Sequence, residues 1–160
     1  MQGRFGAQPV AGDDYLLKLS RYIHLNPVYI RRLIEEPFKR RLEALRAYPW
    51  SSYRGYAGIG KGETFIDDGP ILGMMAGSAR KRQRTYRRFV EAGLAEEDKE
   101  FLEVLNESGW GVGDDVFQER IRDLHTELAH KAKRPEDVSF RHVSQVIGPE
   151  VRILTKVNTC

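Results

Sequence analysis

The chain has 160 residues, a formal charge of +3 and a pI near 9.0, with 41% hydrophobic and 31% charged residues. That is one ordinary domain, or a core plus a small appendage, with a solvated and slightly basic surface. The single cysteine, Cys160, excludes an internal disulfide framework. No apolar run approaches the roughly 20 residues of a membrane span, and no secretory hydrophobic region opens the chain. The expectation is a cytoplasmic protein with no membrane partner.

Residues 1–12 carry Gly3, Gly6, Pro9 and Gly12, with room for one short strand near Arg4 to Val10. A lone strand needs a partner, so the chain reads as if it began inside a fold. Asp13 or Asp14 is a candidate cap for a first helix, Tyr15 to Asn26, which Pro27 stops. Its leucines are spread around the cylinder, which predicts burial on more than one side. A helical piece Val28 to Glu36 and a helix Phe38 to Ala47 follow, ended by Pro37 and Pro49.

Tyr48-Pro49-Trp50-Ser51-Ser52-Tyr53 is an aromatic joint, where Ser51 or Ser52 can cap a short helix carrying Tyr53 and Tyr56. Gly58 to Gly62 is a loop. Asp67 or Asp68 caps a short helix, Pro70 to Ala76, and Ser78 a long basic helix reaching Gly93. Leu94 to Asn106 is acidic and helical, Gly109 to Gly113 a break, and Asp114 or Asp115 opens a helix to His130. In the tail, Ser139 to Ile147 reads as a helix. Val151 to Val157 alternates as a strand, with a short helix from Pro149, and so an incomplete helix-turn-helix, as the alternative. Three segments result: 1–62, 63–108 and 109–160. The fold class is mainly α, with at most one or two short strands.

Two features carry chemistry. Tyr22 and Asn26 stand four apart on one helix face. A phenol beside an amide oxygen suits a nucleophile next to a ligand of Mg²⁺ or Mn²⁺, and equally an ordinary buried hydrogen bond. One neutral oxygen cannot hold such an ion alone. His24 points about 160° away from Asn26 on the wheel, which suits packing or a phosphate contact. The second feature is the basic helix. Arg80, Lys81, Arg84, Arg87 and Arg88 project as one arc, opposite Tyr86, Phe89 and Val90. An unrelieved cationic arc suits nucleic-acid phosphates. It also suits pairing with the acidic run Glu96 to Glu103. Lys39, Arg40, Arg41 and Arg46 add to the first reading. Arg54 and Lys61, interleaved with Tyr48, Trp50, Tyr53 and Tyr56, resemble a platform for single strands, although such aromatics also pack corners between helices.

Gln2-Gly3-Arg4-Phe5, the run Tyr15 to Val28, the block Tyr48-Pro49-Trp50-Ser51-Ser52-Tyr53-Arg54-Gly55-Tyr56, and Tyr86-Arg87-Arg88-Phe89-Val90 with Gly93-Leu94 occur in this order. Together they resemble the REP-associated tyrosine transposases of the single-tyrosine HUH transposase superfamily, over roughly residues 2 to 94. The resemblance implies the helical C-terminal portion of an α+β fold. It implies that Tyr22 attacks a phosphate of single-stranded hairpin DNA to form a 5′-phosphotyrosine. It implies that Asn26 is the helix-borne ligand of Mg²⁺ or Mn²⁺. The family's His-hydrophobic-His pair has no counterpart, since the sequence contains no His-x-His. The expectation is therefore a transposase-like DNA-binding protein, incomplete as an enzyme and not holding the ion stably by itself. A partner chain could supply the missing sheet, and the Tyr15 to Asn26 helix should expose apolar surface that favours self-association. The alternative is a non-catalytic nucleic-acid-binding or protein-interaction remnant.

Overall fold

In a computed structural model of the chain, residues 6–30, 32–96, 98–132 and 151–156 are described. The architecture is mainly helical. Strand β1 (Gly6–Ala11) leads into α1 (Gly12–Leu25), followed by a 3-10 turn (Asn26–Val28). Then come α2 (Phe38–Ala47), α3 (Tyr53–Tyr56), α4 (Gly69–Leu72), α5 (Ala79–Ala92), α6 (Lys99–Glu107), α7 (Asp115–Lys131) and β2 (Val151–Lys156). The residues group into two compact units: 17–98, and 1–16 together with 99–160.

In the second of these units β1 pairs antiparallel with β2, with Gly6 opposite Lys156 and Ala11 opposite Val151. The expected lone strand thus has its partner, and the alternating tail is a strand rather than a short helix. The other edge of β1 is used too. The Ala11 amide donates to the Val112 carbonyl (2.8 Å) and the Val112 amide to the Pro9 carbonyl (2.9 Å). Pro9, Val10, Phe101, Val112 and Ile121 form the apolar core here. Gly111 and Gly113 let the chain run this close: a Cβ on Gly113 would stand 2.7 Å from the Ala11 Cβ. Helix α7 starts as expected, with Asp114 accepting from the Phe117 amide at 2.8 Å. The expected helix Ser139 to Ile147 lies outside the described residues.

In residues 17–98 the core is built from Leu19, Leu25, Val28, Leu45, Tyr53, Ile71, Leu72, Tyr86, Val90 and Leu94. Prolines and glycines set most boundaries. α2 spans Phe38 to Ala47 between Pro37 and Pro49, and α5 fills the interval between Ser78 and Gly93. Four expectations need correction. The short helix expected over Pro70 to Ala76 spans Gly69–Leu72 and continues as turns. α1 begins at Gly12 (φ +58), so Asp13 and Asp14 stand in its first turn, favourable to the helix dipole, rather than capping it. Residues 32–36 form hydrogen-bonded turns instead of a helix: the 3-10 turn takes the start of the segment, and Pro37 disfavours helical dihedrals at Glu36. α6 begins at Lys99 rather than Leu94, since the turns Leu94 to Glu91 and Ala95 to Ala92 finish α5 first. On α1, Ile23 is exposed while Leu19 and Leu25 are buried, so the expected apolar surface is confined there to one large side chain.

Candidate nucleic-acid interface

Helix α5 separates its two faces as the arc predicts. Tyr86 and Val90 are fully buried and Phe89 is half-buried, with the Arg21 guanidinium 4.6 Å above its ring. Arg80, Lys81, Arg84 and Arg88 are exposed. Among the described residues no carboxylate forms an ion pair with any of these four. Asp98, from the acidic run, is engaged instead by Arg21 at 2.5 Å and Lys18 at 3.9 Å. Arg87 departs from the arc: it is half-buried and its charge acts on Glu91 and Tyr53.

The second cationic group is mostly structural. Arg46 forms a two-point pair with Glu91, at 2.7 and 2.8 Å, and Tyr53 donates to the same carboxylate at 2.9 Å. Burial alone would raise the Glu91 carboxyl, but the hydrogen bonds from Arg46 and Tyr53 outweigh it and hold it below its ordinary value. Arg41 donates to the Leu94 carbonyl (3.2 Å) and lies 5.2 Å over the Tyr29 ring. Lys39 and Arg40 are exposed.

The aromatic joint divides. Tyr53 is buried and Tyr56 half-buried, so these two pack the corner. Trp50 is 86% exposed and Tyr48 lies at the surface. Beside Trp50, Pro49, Ser51, Ser52, Arg54, Lys61 and Glu63 line an open cavity of about 210 Å³.

Tyr22 is half-buried on α1, and Asn26 is exposed at the start of the 3-10 turn, just beyond the α-helix. Among the described residues no three His, Cys, Asp or Glu side chains cluster so as to hold a metal ion. Asn26 offers one neutral oxygen, and a hard divalent cation takes several oxygen ligands. The described residues do not by themselves fit a Mg²⁺ or Mn²⁺ ion at Asn26.

What the sequence did not reveal is a buried polar chain centred on His24. Tyr86 shares hydrogen bonds with Ser20 and with His24 Nδ1 (2.7 Å), and His24 Nε2 is 2.9 Å from Ser52 Oγ. The rings of Tyr53, Tyr56 and Tyr86 surround the imidazole at 5.0–5.8 Å. Burial lowers His24 to about 4, so the ring is neutral. Burial likewise pushes the Tyr53, Tyr56 and Tyr86 phenols up, leaving none of them poised as an anionic nucleophile. Of the two readings of His24, the structure shows packing. The available signal was Ser20 and His24 at i and i+4 on one face of α1.

No family model, curated protein or solved structure matches the chain.

Proposed function

We propose that this chain is a transposase-like DNA-binding protein, related to enzymes that cleave and rejoin single-stranded hairpin DNA, and incomplete as a nuclease by itself. One observation carries the DNA-binding part: α5 docks by Tyr86 and Val90 and leaves Arg80, Lys81, Arg84 and Arg88 in solvent without carboxylate partners among the described residues. Holding like charges together on one face costs energy that a row of phosphates offsets. The relationship to transposases rests on the three ordered blocks around Tyr22, Trp50 and Arg87. Tyr22 is the candidate nucleophile, and it would act only with metal ligands supplied from outside the described residues. A cytoplasmic location agrees with the single cysteine.

Fluorescence anisotropy with a labelled hairpin oligonucleotide tests the reading. Binding should weaken steeply as salt rises, and affinity indifferent to salt would overturn it. A nicking assay with Mg²⁺ should show no cleavage by the chain alone. If cleavage is seen and survives Tyr22→Phe, the assignment of Tyr22 fails.

A further inference from the structure

We infer that the cavity beside Trp50 is a phosphate-binding site for single-stranded DNA, taking one backbone phosphate while a neighbouring base stacks on the indole. The inference rests on the DNA-binding reading above and names where the strand is gripped.

The cavity is built rather than incidental. The loop after α3 folds back on it: the Ile59 and Gly60 amides both donate to the Arg54 carbonyl, at 3.0 and 3.1 Å. Gly55 and Gly62 meet backbone to backbone, and a Cβ on Gly55 would lie 2.7 Å from the Gly62 Cα. Gly60 packs on the Arg54 side chain, with its virtual Cβ 3.1 Å from Arg54 Nε. α5 braces the same loop through Gln83, which donates to the Gly55 carbonyl at 3.3 Å.

This packing orients a guanidinium and leaves it without a protein acceptor. Arg54 Nε is buried and has no hydrogen-bond partner. Nε itself is covered by Gly60, so an anion in the cavity would be taken by the outer nitrogens of the fork, where it offsets the charge that this packing partly desolvates. An Arg fork matches phosphate oxygens in geometry as well as charge. Lys61 adds a second cation on the exposed loop. Ser51 accepts from the Tyr53 amide through Oγ (3.2 Å), so its own hydroxyl hydrogen remains to donate. Glu63 on the same rim opposes an anion, and it is exposed and screened by water, against two cations. The cavity, about 210 Å³ and open to solvent, admits a phosphate with part of its sugar. A base outside it meets Trp50, flanked in sequence by the cavity residues Pro49 and Ser51, whose ring is 86% exposed. Stacking on an exposed aromatic is tolerant of base identity.

The test uses the full chain, an unstructured oligothymidylate of eight nucleotides, and inorganic phosphate, read by tryptophan fluorescence and by anisotropy. The oligonucleotide should quench the wild type, and Trp50→Phe should abolish the quenching although Trp110 remains. Arg54→Gln and Lys61→Gln should each weaken octamer binding roughly 5- to 20-fold, as loss of one charge-assisted contact implies. Glu63→Gln should tighten it. Millimolar inorganic phosphate should compete only weakly. Lys61 and Trp50 are exposed, so their variants test the site even if Arg54→Gln unfolds, which the far-ultraviolet dichroism reports. Wild-type octamer affinity in both Lys61→Gln and Trp50→Phe overturns the inference. Phosphate binding without octamer binding overturns it too, and assigns the cavity to a free anion. Failure of hairpin and octamer binding together overturns the DNA-binding reading itself, whereas intact hairpin binding with indifferent cavity variants overturns only the cavity.

Discussion

A neutral histidine held by hydroxyls is a pH-dependent element. His24 is held near 4 in the folded chain, against an ordinary value of 6.5. Below pH 6.5 the unfolded chain takes up a proton that the folded one refuses. Its contribution is therefore complete above that pH and is lost as pH falls toward 4, by up to about 3 kcal/mol at about 1.4 kcal/mol per unit. Urea midpoints measured at pH 7 and pH 5 should show the loss, and His24→Gln should flatten it. Tyr86→Phe should cost about 1–3 kcal/mol at pH 7, because it strands both Ser20 and His24 Nδ1 in the core. Chemical denaturation checks this, and a cost near zero would mean that the hydroxyl chain contributes nothing. At this scale the sequence was half legible. The i, i+4 spacing placed Ser20 and His24 on one face, but their partner Tyr86 comes from a distant helix, and no local pattern announces such a meeting.

Among the elements, α2 and α5 were readable from the residues at their limits: Pro37 stands before α2, and Ser78 and Gly93 flank α5, although the Ser78 side chain makes no capping hydrogen bond and Gly93 keeps right-handed helical dihedrals. The segment between Pro27 and Pro37 misled because its apolar spacing looked helical while a 3-10 turn takes its start and Pro37 disfavours helical dihedrals at its end. The arc on α5 was legible from periodicity alone. The use made of α2's cations was not, because Arg46 finds Glu91 only once the two helices meet. Arg46→Met should cost about 1 kcal/mol in a urea titration, modest because Arg46 is exposed, yet measurable because Glu91 is mostly covered. For α5, four exposed cations predict a slope of log affinity against log salt of up to about −3 on single-stranded DNA. The double variant Arg84→Glu, Arg88→Glu should weaken binding more than tenfold and make that slope shallower, in an anisotropy titration. A double variant that binds as tightly as the parent would remove α5 from the interface.

For the whole molecule, the pairing of β1 with β2 joins the first strand to the last, and this was the least legible feature. Each strand could be suspected from its own alternation or its glycine and proline boundaries, but register between segments so far apart leaves no trace in either. The tightest point is the contact of residues 111–113 with β1. Gly113→Ala would set a methyl against Phe117 and Ala11, and overpacking of this kind should cost about 1–3 kcal/mol in a thermal melt. The same pairing dictates an order of events during synthesis. Residues 17–98 can collapse on their own local contacts as they are made, while β1 must wait until β2 has been synthesised. Until then its β2-facing edge is open to any other extended chain, which makes a nascent or prematurely terminated product the species most exposed to aggregation.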